Sequence, residues 1–180
     1  MSGLTVAIVA VWAAFWIYWL VSAAGAKRGS RSWRTRPPSI AIIVVGALVL
    51  RVSGAHSLIV HSPILQAVGV ILFLSGLALA VWARVHLGRN WGMPMTAKDD
   101  PELVTSRPYR LIRHPIYSGI LLGVFGTSLA TNVDLLIAVG MIGAYFLYSA
   151  TVEERILTRS FPATYPSYKA RTKMLIPFVL

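Results

Sequence analysis

Cysteine is absent from the 180 residues. That removes disulfides, thiolate metal sites and a cysteine nucleophile from the chemistry open to the chain. Acid is scarce as well: six Asp and Glu stand against seventeen Lys and Arg, and charged residues make up only 13% of the total. No glycine-rich G-x-G-x-x-G loop follows a strand pattern, so a Rossmann domain is excluded as the holder of a nucleotide-like cofactor. Internal repeats, low-complexity tracts and a second, soluble domain are also missing from the pattern.

Apolar residues fill the gap. They account for 56% of the chain, and the mean hydropathy is +0.68, far too high for an ordinary soluble domain. A bilayer is the implied solvent. A spanning helix needs roughly 20 apolar residues, and five segments qualify. The first, Leu4 to Ala24, is free of charge, and its basic residues follow rather than precede it, which reads as a retained span rather than a cleaved signal. The second, about Ile40 to Val60, contains Arg51, which is expected to snorkel to the outer interface. The third is Pro63 to Ala83, ending beside the interfacial aromatic Trp82. The fourth runs from Pro115 to Val133. The fifth runs from Leu135 to Val152 and continues as helix through Glu153 and Glu154, with so short a connection from the fourth that the two form an antiparallel hairpin. The expected fold is therefore all-α and integral to the membrane. Residues 1–62 carry helices one and two, and residues 63–180 form a core with helices three to five.

Basic residues set the expected orientation. Sixteen of the seventeen follow spans one, three or five, leaving only Arg51 near the other face. Lysine and arginine are retained on the cytoplasmic side, so the N-terminus is expected outside and the C-terminus inside. The net charge of +11 then reflects topology and anionic headgroups. It argues against nucleic acid as a partner and for the lipid bilayer.

The remaining polar chemistry gathers in two segments on that side, Arg84 to Tyr117 and Glu153 to Pro177. Its densest part is RPYRLIRHPIYSG, residues 107–119. Pro115 suits the first turn of a helix, which places His114 near the N-cap of span four. A helix N-terminus attracts anions, and Arg113 and His114 add donors there. Tyr117 lies three residues on, over nearly the same helical face. Opposite stand Glu153 and Glu154. Neighbouring helical residues diverge by about 100°, so only one of the two looks fully into a shared cavity while the other pairs with arginine. An anion-attracting helix start facing an acidic helix end suits a zwitterionic ligand. Gly119 and Gly123 read as close helix packing, and Trp12, Trp16 and Trp19 as lipid-facing or packing residues.

In LVTSRPYRLIRHPIYSG (103–119), EERIL (153–157) and FPATYPSYKARTKMLIPF (161–178) the chain resembles the isoprenylcysteine carboxyl methyltransferase family and the related phospholipid N-methyltransferases. The resemblance covers residues 84 to 178. It implies S-adenosylmethionine as cofactor, in contact with Pro101, Glu102, Leu103, Val104, Tyr109, His114, Pro115, Ile116, Tyr117 and Glu153. It implies a lipid or prenylated small-molecule acceptor, methylated by in-line displacement at the cytoplasmic face, with Glu153 or Glu154 as base if the nucleophile is an ammonium. Tyr165 and Tyr168 would form a structural clamp. Arg107 and Pro162 stand where the family usually has glycine. Ser149 stands where isoprenylcysteine enzymes tend to carry an arginine for the substrate carboxylate, leaving Arg113, Arg107 or Arg155 to take that role. The competing classes are an NADPH-dependent membrane reductase of the sterol type, which shares a similar C-terminal layout, and a non-enzymatic scaffold.

Overall fold

The computed structural model describes residues 2–23, 29–31, 58–92, 95–98 and 101–176. Helix α1, Gly3–Ala23, opens behind Ser2, whose hydroxyl accepts the Thr5 N–H at 3.2 Å. Its 21 residues reach roughly 32 Å at 1.5 Å per residue, enough to cross a hydrocarbon core. Helix α2, Pro63–Leu87, has the start its sequence calls for: Ser62 caps the Leu65 N–H and proline occupies the first turn. It ends at Gly88, whose φ of +53° is a conformation that glycine adopts without a Cβ penalty. Helix α3 covers Pro115–Ala130, α4 Leu136–Ser160 and the short α5 Tyr165–Arg171. Two three-residue strands, β1 (Gly29–Arg31) and β2 (Thr96–Lys98), pair antiparallel.

Among the described residues, Gly3–Ala23, Pro63–Asn90 and Val133–Ser160 are long and apolar enough to cross a membrane, and Pro115–Ala130 is a shorter apolar helix. The described residues are thus helical apart from one small ribbon, and the protein is a multi-pass membrane protein. The expected second span, with Arg51, lies almost wholly outside the described residues. The described ends that bracket it stand at opposite ends of the helices. Arg31 pairs with Thr96 beside the C-terminus of α2, whereas the Leu58 carbonyl accepts from Val133 near the start of α4.

Span four stops earlier than expected, at Ala130 rather than Val133. Asn132 turns to an extended conformation and its side chain accepts the Asp134 N–H at 2.8 Å, opening a 3₁₀ turn over Val133–Leu135. Asp134 in turn accepts the Leu58 N–H at 3.1 Å. These local bonds offer the backbone an alternative to continued helix. The hairpin is accordingly tight, with five residues between α3 and α4.

Helices α2 and α3 touch backbone to backbone. A Cβ on Gly119 would come within 2.6 Å of the Gly76 carbonyl and 2.7 Å of the Ala80 N–H, so glycine is required at that crossing. Helix α1 joins them through Trp12, whose indole N–H donates to Thr127 at 3.0 Å and whose ring lies 5.6 Å from that of Phe73. At the opposite end of α3 the chain after α5 straps the segment that leads into it. Arg113 N–H donates to the Lys173 carbonyl, His114 N–H to that of Met174, and the Ser118 hydroxyl to that of Leu175. The 107–119 motif is therefore pinned at a helix start, largely through its backbone and the Ser118 hydroxyl.

Candidate active site

A cavity of about 520 Å³ opens at this strapped end, between α1, the end of α2, the segment from Pro101 to Tyr117, α4 and α5. That volume lies within the range of small-molecule sites. One face of α4 lines it at helical spacing with Glu153, Ile156, Leu157 and Ser160. Glu154, a hundred degrees round the helix, is 3% exposed and does not line it. The helical geometry thus sends the two adjacent carboxylates to separate surroundings.

Glu153 is held from three sides. Its Oε1 accepts the Tyr117 hydroxyl at 2.5 Å and the Met95 backbone N–H at 3.0 Å, and its Oε2 lies 3.4 Å from His114 Nδ1. The ring of His114 stacks on Tyr117 at 5.5 Å, and Tyr117 stacks on Phe146 of α4 at 4.3 Å. This aromatic column fixes both donors. His114 occupies the N-cap position of α3 without capping it through its side chain. Instead its ring lies between carboxylates, with Nε2 3.7 Å from Glu154 Oε1. Burial opposes a charge on the imidazole, yet Glu153 and Glu154 together outweigh it and hold the pKa above the usual histidine value.

Glu154 anchors the frame behind this wall. It pairs with Arg113 Nε and with Lys169 Nζ, each at 2.6 Å. Arg113 Nη1 donates onward to the carbonyls of Thr172 and Lys169, so its guanidinium ties α4 to the end of α5. Two tyrosines lock the loop in place: Tyr109 donates to the Ala83 carbonyl at 3.2 Å, and Tyr168 donates to the Tyr109 carbonyl at 2.7 Å. Burial, reinforced by Tyr168 and Glu153, pushes the Tyr109 phenol above its ordinary value. Burial likewise takes Tyr168 to about 12, against the opposing pull of Arg113. Both are neutral donors at physiological pH. Tyr165 is fully buried and its hydroxyl has no hydrogen-bond partner among the described residues.

Of the residues singled out from sequence, Pro101, Glu102, Leu103, Val104, Tyr109, Arg113, His114, Pro115, Ile116, Tyr117 and Glu153 all line the cavity. Glu154 stands outside it. Ser149 is fully buried within α4 and does not line it either. Sequence reasoning missed the wall supplied by Trp16, Trp19 and Leu20 of α1, and also Asn90, Trp91 and Phe146. Spacing held a partial signal, since Trp12, Trp16 and Trp19 recur on one helical face. Asn90 donates to Glu102 at 3.1 Å, which steadies the loop from the end of α2. Among the described residues, no group of three or more His, Asp or Glu is placed to hold a metal ion.

The family model described as phospholipid methyltransferase matches residues 64–164, more than half of the chain. A cobalt-zinc-cadmium resistance protein of Cupriavidus metallidurans is 33% identical over 119 residues, covering 64% of this chain and 50% of the relative. Methanethiol S-methyltransferase 2 of Bradyrhizobium diazoefficiens is 41% identical over 69 residues, 38% of this chain and 26% of the relative. A probable protein-S-isoprenylcysteine O-methyltransferase of Oryza sativa is 28% identical, covering 62% of this chain and 61% of the relative. The chain therefore spans between about a quarter and three fifths of the length of these relatives. Among solved structures, the eukaryotic intramembrane Ras methyltransferase, isoprenylcysteine carboxyl methyltransferase, superposes with a TM-score of 0.60 at 21% identity. That match covers 80% of this chain and 53% of that one, a likeness of fold.

Proposed function

The chain belongs to the phospholipid methyltransferase family, and from that premise we propose that it moves a methyl group from S-adenosylmethionine to a lipid or lipid-like acceptor at the cytoplasmic membrane face. The observation that carries the reading is the Glu153 carboxylate, held by Tyr117, His114 and the Met95 N–H at the wall of a largely apolar cavity that also takes in the N-terminus of α3. That donor set fits a zwitterionic ligand: the helix start attracts a carboxylate, and Glu153 meets an ammonium, a ribose hydroxyl or a positive sulfonium. Pro101–Val104, Tyr109, His114–Tyr117 and Glu153 would hold the cofactor. When bound, S-adenosylmethionine supplies a methyl group already activated on sulfonium, so the chemistry is an in-line displacement.

The chain's own residues then have three tasks. They align the acceptor, exclude water and take up any proton released. The Trp16, Trp19 and Trp91 wall serves exclusion, and Glu153 is the carboxylate positioned to receive a proton from a protic nucleophile. Glu154, behind the cavity, neutralises Arg113 at its edge, and the pair keeps His114 and the strap in register. With Arg113 committed to Glu154, and Ser149 away from the wall, the lining offers, among the described residues, no uncommitted arginine to an acceptor carboxylate. This favours an amine- or thiol-type nucleophile over an isoprenylcysteine carboxylate. Residues 63–180 would carry the activity. The basic loops support a cytoplasmic site, by positive-inside sorting.

Calorimetric binding of S-adenosylmethionine and, separately, NADPH to the detergent-purified protein tests the reading. We expect saturable S-adenosylmethionine binding, weakened by Glu153→Ala and by His114→Ala, with no response to NADPH. Binding of NADPH alone would replace the methyltransferase by a reductase, and binding of neither would leave a scaffold.

A further inference from the structure

Arg84 takes no part in the network around Glu153, yet it is one of the few charged side chains buried in the bundle, at 5% exposed. It stands in the last turn of α2. One guanidinium nitrogen donates to the Gly88 carbonyl at 2.8 Å and the other to the Ser22 carbonyl at 2.5 Å. The Ser22 carbonyl lies in the last turn of α1, and the Gly88 carbonyl, which also accepts the Trp91 N–H at 3.2 Å, caps the end of α2, so a single cation joins the negative ends of the two helices. The same guanidinium lies 4.6 Å over the ring of Trp91. Trp91 meets Trp19 of α1 edge-on, at 5.8 Å and 89°. Trp19 and Trp91 line the cavity, whereas Arg84 does not.

The α1 side of the cavity, formed by Trp16, Trp19 and Leu20, carries no titratable group. Its outer edge is open, with Trp16 46% and Leu20 73% exposed. One stretch of helix thus borders both the cavity and the surrounding lipid. An alkyl chain attached to a reactive head could remain in apolar surroundings there while its head reaches the Glu153 side.

We propose that Arg84 is a positioning residue for the methyl acceptor: by tying the end of α1 to Trp91, it fixes the Trp19–Trp91 corner against which the apolar body of the acceptor packs. The inference rests on the methyltransferase reading and extends it to a wall outside the set of residues proposed for the cofactor. A planar, forked donor is needed to serve two carbonyls and stack on an indole at once, which lysine cannot do.

The test compares methylation of ethanethiol and 1-decanethiol, with ethylamine and decylamine in parallel, by the wild type, Arg84→Lys, Arg84→Met and Trp91→Leu. The wild type should favour the long chain in kcat/KM. Both Arg84 variants should reduce that preference by about tenfold or more, through KM rather than kcat, while S-adenosylmethionine affinity stays within about threefold. Trp91→Leu should reproduce the loss with the two carbonyl bonds of Arg84 intact, which guards against an Arg84 variant that merely misfolds. Equal losses for short and long acceptors, weakened S-adenosylmethionine binding in step with the acceptor, or a wild type that binds the cofactor without favouring a chain would each overturn the role of Arg84. A wild type that does not bind S-adenosylmethionine would instead sink the underlying methyltransferase reading.

Discussion

Replacing Glu154 by alanine takes away a carboxylate that is 3% exposed and receives Arg113 and Lys169 at 2.6 Å each. Deleting one member of a buried ion pair costs roughly 3–5 kcal/mol, mainly because the other charge stays behind. Two features put this site at the low end. Arg113 keeps its donations to the Thr172 and Lys169 carbonyls, and Lys169, half exposed, rehydrates. A loss of about 3 kcal/mol, at about 2–4 °C per kcal/mol for a chain of this size, lowers the melting temperature by roughly 6–12 °C. Glu154→Gln preserves an oxygen acceptor for Arg113 and should lose about half as much. Combined with Arg113→Ala, the two losses should fall short of their sum by about 1–3 kcal/mol, as neighbours in one network do. Thermal unfolding in detergent reads stability, and calorimetry below the transition reads the cofactor. Because Glu154 does not line the cavity and reaches it only through His114 and Arg113, S-adenosylmethionine affinity should fall by less than it does in Glu153→Ala. A variant that melts like the wild type but has lost the cofactor would refute the division between frame and wall.

Three further outcomes follow from the same geometry. Tyr117→Phe removes a 2.5 Å hydrogen bond to the Glu153 carboxylate, of a kind worth about 1.5–3 kcal/mol, so calorimetry should show S-adenosylmethionine affinity down about tenfold or more. Gly119→Leu drives a side chain into the Gly76 carbonyl and the Ala80 N–H, and backbone there cannot yield; the variant should lose its cooperative melt and its monodisperse elution. The raised pKa of His114 gives a stabilisation that is full below about 6.5, the unfolded value, and is withdrawn as pH rises through the folded one. The melting-temperature lead of the wild type over His114→Gln should therefore shrink with rising pH, and a lead that grows would contradict a histidine charged between Glu153 and Glu154.

Length and polarity made α1, α2 and α4 legible, because a bilayer leaves few alternatives to a long apolar helix. The end of α3 was less so: Asn132 and Asp134 exchange helix for side-chain bonds to Asp134 N–H and Leu58 N–H, and the Leu58 partner is 76 residues away. The separation of Glu153 from Glu154 could be read from helical rotation alone. Which of the two faces the cavity could not, since that depends on how α4 is turned against α3. The strap formed by Lys173, Met174 and Leu175 was hidden for a related reason: it uses backbone carbonyls, which carry no residue-specific signal. Arg84 shows the limit from the other direction. Its position after a span suggested only topology, whereas its two acceptors and its indole come from α1, its own helix end and the turn beyond.

The central claim, methyl transfer from S-adenosylmethionine at the Glu153 site, is tested most directly by incubating the purified protein with S-adenosylmethionine labelled in its methyl group and a membrane lipid extract. The account predicts label in an apolar product, formed in proportion to protein and lost in Glu153→Ala with the melting temperature retained. Label transfer that survives Glu153→Ala, or a protein that binds the cofactor and transfers no label to any lipid, amine or thiol acceptor, would contradict it.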